Sequence, residues 1–183
     1  MDYEITISGL KRNLPLHKIN DDLYIGAFIM FGDAEITFKA AGDLLAKAPD
    51  FDVIVTAESK GIPLAAEMAR QADFADYVVA RKSKKLYMTD IIETSVDSIT
   101  TANTQTLCIG GDEVAKIRGR RVLIVDDVIS TGQSLLAIEE LVNKAGGNIV
   151  GKMAVLAEGE AADRDDIMFL QKLPLFNADG TVK

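Results

Sequence analysis

The chain has 183 residues, a formal net charge of −8 from 20 Lys+Arg against 28 Asp+Glu, one Cys, one His and no Trp. That length allows one domain with a substantial core. The lone Cys108 excludes an internal disulfide framework and fits a reducing compartment, Cys108 with His17 is too small a set for a Cys/His zinc cluster, and the acidic balance argues against nucleic acid as a partner, because duplex affinity rests on neutralising phosphates.

In chain order, the most apolar run is LYIGAFIMFG at 23–32, with Asp21 and Asp22 before it and Asp33 and Glu35 after it. It is too short to span a bilayer, and no basic stretch precedes an apolar one at the N-terminus; a cytoplasmic location with no membrane partner is therefore expected. Asp33 is placed to cap a helix over about 34–48, with Ile36, Ala40, Leu44 and Leu45 on one face. FDVIVTA at 51–57 reads as a buried strand, and residues 62–72 as a helix with Pro63 in its first turn. ADYVVA at 75–80 is a second strand. Residues 82–113 turn polar, with alternation at TQTLCI (104–109), as in a functional loop or a hairpin. RRVLIVDD at 120–127 is a third strand, residues 134–147 an amphipathic helix ending at Gly146–Gly147, and NIVGKMAVLA at 148–157 a fourth strand. With no repeat or linker, this rhythm predicts a single α/β domain with a central, mainly parallel sheet flanked by helices.

The segment that carries chemistry is VLIVDDVISTGQS at 122–134. An apolar strand runs into Asp126 and Asp127, and a turn of Ser130, Thr131, Gly132, Gln133 and Ser134 leads into the helix. In open α/β sheets ligands sit beyond the carboxyl ends of the strands. Backbone N–H groups at a helix N-terminus favour an anion, and Gly132 lets the backbone approach closely. Paired acceptors for hydroxyls beside a phosphate cradle suit a phosphorylated sugar. Neither a Walker A loop nor a dinucleotide fingerprint is present. Two further segments carry charge at strand ends: Glu58-Ser59-Lys60-Gly61 after the first strand, and Arg81-Lys82-Ser83-Lys84-Lys85 after the second, a sharp local reversal of the acidic balance.

Together these segments resemble the type I phosphoribosyltransferases, purine branch. Residues 122–134 look like their phosphoribosyl pyrophosphate (PRPP) signature, 56–65 like their pyrophosphate loop, and 81–100 like the xanthine-type loop, with Thr89, Asp90, Thr94, Val96, Ser98 and Thr100. Adenine enzymes carry a Glu-Tyr pair where this chain has Ile99-Thr100. Bacterial xanthine enzymes carry a Lys near the position of Gly159. The resemblance implies a phosphoribosyltransferase fold with a small hood (about 1–32 and 157–183) and a mobile loop (about 86–105). It implies transfer of phosphoribose from PRPP to a purine, adenine favoured, with a xanthine- or hypoxanthine-specific enzyme or a non-catalytic PRPP sensor as alternatives. Asp126 and Asp127 would hold the ribose hydroxyls and face the developing charge. Ile129, Ser130, Thr131, Gly132, Gln133 and Ser134 would hold the 5′-phosphate. Glu58, Ser59, Lys60, Gly61, Arg81, Lys82 and Lys85 would form the pyrophosphate site. Mg²⁺ would be held mainly through PRPP. Leu23, Phe28 and Phe31 are candidate hood residues, and a homodimer is expected by resemblance. His17 and Cys108 lie in no nucleophile turn, which leaves a Cys–His hydrolase little support.

Overall fold

The computed structural model describes residues 1–97 and 104–183. Strands β1 (Asp2–Ile7), β2 (Leu10–Asn20) and β3 (Leu23–Gly26) run antiparallel at the N-terminus. Helix α1 (Ala34–Leu45) starts where expected: Asp33 accepts the Ile36 N–H at 3.1 Å, and Arg12 grips the same carboxylate at 2.6 Å. There follow β4 (Val53–Ala57), α2 (Ile62–Gln71), β5 (Asp76–Ala80), β6 (Ile92–Asp97), β7 (Thr104–Ile109), α3 (Gly111–Ile117), β8 (Arg121–Ile129), α4 (Gln133–Ala145), β9 (Asn148–Glu158), a 3-10 turn at Gly159–Asp163, β10 (Met168–Leu173) and β11 (Leu175–Phe176).

The central sheet has the order β10-β9-β8-β4-β5, and all of its pairings are parallel. Its middle strands are apolar on both faces because helices cover both. Val53, Val55, Val122 and Ile124 pack with Val114 and Ile117 of α3 and with Leu135, Ile138 and Leu141 of α4. Ile54, Leu123 and Val125 pack with Ile36 and Leu44 of α1 and with Leu64 and Met68 of α2. From β4 the chain moves outward through α2 to β5; from β8 it moves the opposite way through α4 to β9 and β10. The seam between β4 and β8 is therefore the point where the strand order reverses.

A second, antiparallel sheet has the order β1-β2-β3-β11. Ile5, Ile7 and Leu14 bury one side of it against Leu173 and Phe28, and Tyr3 meets the Phe176 ring edge-on at 4.9 Å. The C-terminal stretch divides between the sheets: β10 extends the central sheet, and only β11 crosses to the second. β6 and β7 form an antiparallel hairpin, tied to the end of β5 by reciprocal 2.8 Å backbone bonds between Arg81 and Cys108. Among the described residues, no helix is long and apolar enough to cross a membrane.

Candidate active site

The carboxyl ends of β4, β5, β8 and β9 meet on one side of the central sheet, and the charged segments found in the sequence follow β4, β5 and β8. β8 does not stop at the acid pair, as its composition predicts. Val128 and Ile129 continue the pairing with Leu156 and Ala157 of β9. Those two added pairs fix the acids inside a strand, and the Ile129 side chain goes into the core. Ile129 can therefore offer only its backbone to a ligand.

Asp127 is 2% exposed. Its Oδ2 accepts no well-directed hydrogen bond, yet the Lys60 ammonium reaches to 3.1 Å from it across the β4/β8 seam. The pair is close enough to attract, but its geometry leaves a buried acceptor open to a better donor. Asp126 receives the Asp127 N–H at 2.9 Å. Although the residue keeps some accessible surface, burial of its carboxyl group and the adjacent Asp127 charge raise its pKa well above the ordinary carboxylate range.

After Ile129 the chain turns through exposed Ser130 and Thr131 to Gly132, whose φ of +78° favours glycine. The N-cap of α4 is Gly132, which brings no capping side chain, and the helix dipole stands behind the turn that leads into the helix. A concavity of about 40 Å³ is lined by Asp126 and by residues 128–135. Opposite it, Gly61 opens α2. A Cβ there would run into Thr56 Oγ1 and come within 3.1 Å of Asp126 Oδ1, so only glycine lets the two loops face each other this closely. The Glu58–Ser59 peptide is cis.

The basic segment docks onto the first loop through Glu58. That carboxylate accepts the Lys82 N–H at 3.0 Å and lies 3.5 Å from Arg81 Nη1. The Lys82 amide, with the Lys85 and Arg81 charges nearby, holds Glu58 below its usual pKa. Arg81 also reaches the Tyr87 hydroxyl at 3.3 Å, and Lys85 the Ser83 hydroxyl at 2.9 Å. Ser59, Lys60 and Lys82 are exposed toward solvent. Thus the fold gathers the predicted residues of all three segments at one crevice, the carboxylates from β8 and the cations from the loops after β4 and β5.

Several expectations about single residues change. Phe28 is core rather than hood, and Phe31 is half exposed. Leu23 does line a cavity, of about 570 Å³, between the second sheet and the phosphate-type loop. Buried Cys108 lies in the hairpin, its thiol pKa raised by burial, whereas His17 pairs with Ile25 in the other sheet. Ser98, Ile99 and Thr100 lie outside the described residues. The cavity residues that escaped the sequence reading include Glu158 at the end of β9 and Arg164 after the 3-10 turn. Arg164 gives Nε and Nη2 to Asp166 at 2.8 and 2.7 Å, and its Nη1 lies 2.6 Å from where a Gly132 Cβ would stand. The signal for both was only an acid and a base following a strand that ends beside the crevice.

Comparison with known proteins agrees with this geometry. The family model described as "Phosphoribosyl transferase domain" matches residues 31–179. An adenine phosphoribosyltransferase of Rhodococcus jostii is 35% identical over 147 residues, covering 80% of this chain and 78% of that protein. A hypoxanthine/guanine phosphoribosyltransferase of Methanothermococcus okinawensis is 38% identical over 114 residues, covering 62% of this chain and 58% of that protein, so the chain spans less than two thirds of that relative's length. The crystal structure of an adenine phosphoribosyltransferase from Thermoanaerobacter pseudethanolicus superposes with a TM-score of 0.66 at 26% identity, covering 94% of this chain and 95% of that one.

Proposed function

The chain belongs to the phosphoribosyl transferase domain family, and from that premise we propose that it transfers the phosphoribosyl group of PRPP to a purine, adenine favoured, releasing pyrophosphate. The observation that carries this reading is the meeting of an adjacent acid pair with Asp127 buried, a helix N-terminus that opens on glycine and a cationic loop at the β4/β8 seam.

In this reading a purine ring nitrogen bonds to C1 of PRPP as the C1–O bond to pyrophosphate breaks; the electron pair leaves with pyrophosphate, and the ring N–H proton passes to the released pyrophosphate or to water. The protein's part is positioning and electrostatics. The backbone of 129–134 and the Ser130, Thr131 and Ser134 hydroxyls hold the 5′-phosphate. The Asp126–Asp127 pair takes the ribose hydroxyls, and its negative charge favours the positive charge that develops at C1. Lys60, Ser59, Arg81, Lys82 and Lys85 hold the leaving pyrophosphate, with Glu58 fixing the last segment in place. The base enters the cavity under the second sheet, which thereby acts as the hood. Buried Asp127 Oδ2, open to a better partner than Lys60, suits a hard cation such as Mg²⁺. Such an ion, completed by substrate oxygens, would neutralise pyrophosphate charge. A homodimer fits the exposed Ile29, Phe31 and Phe38 around a groove beside α1 and α2, and a reducing cytoplasm fits the single buried thiol.

The test is incubation with PRPP, Mg²⁺ and each of adenine, hypoxanthine, guanine and xanthine, following pyrophosphate release. Nucleotide formed with adenine is the expected result. No product from any base would overturn the proposal, and PRPP binding without turnover would make the chain a sensor instead.

A further inference from the structure

The cavity under the second sheet contains a polar group with no role in the steps above. Leu23, Ile25 and Leu175 supply its apolar side, and Ser130 and Thr131 join it to the phosphate-type loop. A volume of about 570 Å³ suits a flat bicyclic ring, and its walls are of the kind such rings pack against. Glu158 projects from the last position of β9, beside Leu173 of the neighbouring strand.

Among the described residues, the Glu158 carboxyl group has neither a hydrogen-bond nor an ion-pair partner. The cation on the same wall, Arg164, is already committed to Asp166 through two nitrogens. Lys60 acts on Glu158 only through longer-range attraction, and burial pushes the Glu158 pKa up. Its oxygens stay accessible to solvent in the free protein, and a ring that fills the cavity must replace that solvent with a partner of its own. A ligand that brings a donor makes that replacement; one that brings a carbonyl oxygen leaves the carboxyl group unpaired and adds lone-pair repulsion.

Resting on the transferase reading, we infer that Glu158 is the base-selecting residue, accepting a hydrogen bond from the exocyclic amino group of an aminopurine held between Leu23, Ile25 and Leu175. Selection of this kind is strong because rejection leaves buried polar groups unpaired, whereas the apolar walls alone distinguish purines poorly. Glu158 thus sets which base enters, while residues 126–134 set where the ribose phosphate lies.

The test compares kcat/KM for adenine and for hypoxanthine in the parent, Glu158→Gln and Glu158→Lys proteins, with KM for PRPP measured alongside. Glutamine keeps the shape and an acceptor but adds a donor that can face a carbonyl; lysine offers donors alone. The expected result is a fall in the adenine-to-hypoxanthine ratio of about tenfold or more in Glu158→Gln and further in Glu158→Lys, with KM for PRPP held within about twofold. A ratio unmoved in Glu158→Gln, with KM for PRPP unchanged, overturns the assignment and leaves the transferase reading standing. A parent that turns over no purine overturns both. Should Glu158→Lys fail to fold, the near-isosteric Gln variant decides alone.

Discussion

At the scale of single residues, two neighbouring carboxylates have different surroundings and so different expected behaviour. Asp127 is buried, and among the described residues Lys60 is the cation that pairs with it. Asp127→Asn keeps the volume and removes the charge, and turnover is expected to fall by about 10–100-fold, the size of losing a hydrogen bond to a charged group. Steady-state pyrophosphate release measures it; unchanged turnover would remove the residue from its assigned role. For Asp126 the expected effect is on stability. Its folded-state pKa lies above the unfolded one. In the interval between them the native state binds the extra proton, so this group's contribution is full at low pH and is lost as pH rises toward the folded pKa. Asp126→Asn, whose carbonyl can still receive the Asp127 N–H, should therefore melt at a higher temperature than the parent near pH 8, with the gap closing toward about pH 4. A gap of the same size at both pH values would reject this origin. Both acids were legible because they adjoin each other in one apolar run. Glu158 was not, since its isolation inside a cavity arises only when β3 and β11 fold over the end of β9.

At the scale of elements, the caps and turns carry the local instructions. Asp33 both caps α1 and binds Arg12 of β2, so Asp33→Ala should cost about 1–2 kcal/mol in urea unfolding, the upper part of the range for a lost cap. Gly61→Ala is expected to leave α2 intact by circular dichroism, since alanine favours helix, while weakening PRPP binding by at least about tenfold through displacement of Thr56 and Asp126. Binding by calorimetry at parental strength would show that the loop yields instead. The central strands could be read directly because their residues are apolar and β-branched without interruption, as burial on both faces requires. β1 and β2 could not: they alternate with exposed Glu4, Lys11 and Lys18 and bury only Ile5, Ile7 and Leu14. α3 is a seven-residue helix opening on Gly111, too short for a periodic signal. β10 is a partly exposed edge strand whose placement depends on pairing with β9.

At the scale of the whole molecule, the order of the strands was less legible than the strands themselves. Neither residue type nor spacing in 56–65 and 122–134 states that β4 and β8 are neighbours, and only that adjacency sets Lys60 against Asp127. The two sides of the seam are held unequally. β8 is zipped to β9 from Arg121 to Ile129, whereas β4 meets β8 only along Val53–Val55 and Val122–Ile124. The pairing thins out at the end where the loops begin. A molecule gripped by both loops is therefore a strut across the least-stitched join in the sheet, and its binding energy doubles as cohesion between two halves of the protein. Amide hydrogen exchange should register this as slower exchange along β4 and the start of β8 when PRPP is added, with β9 and β10 little changed.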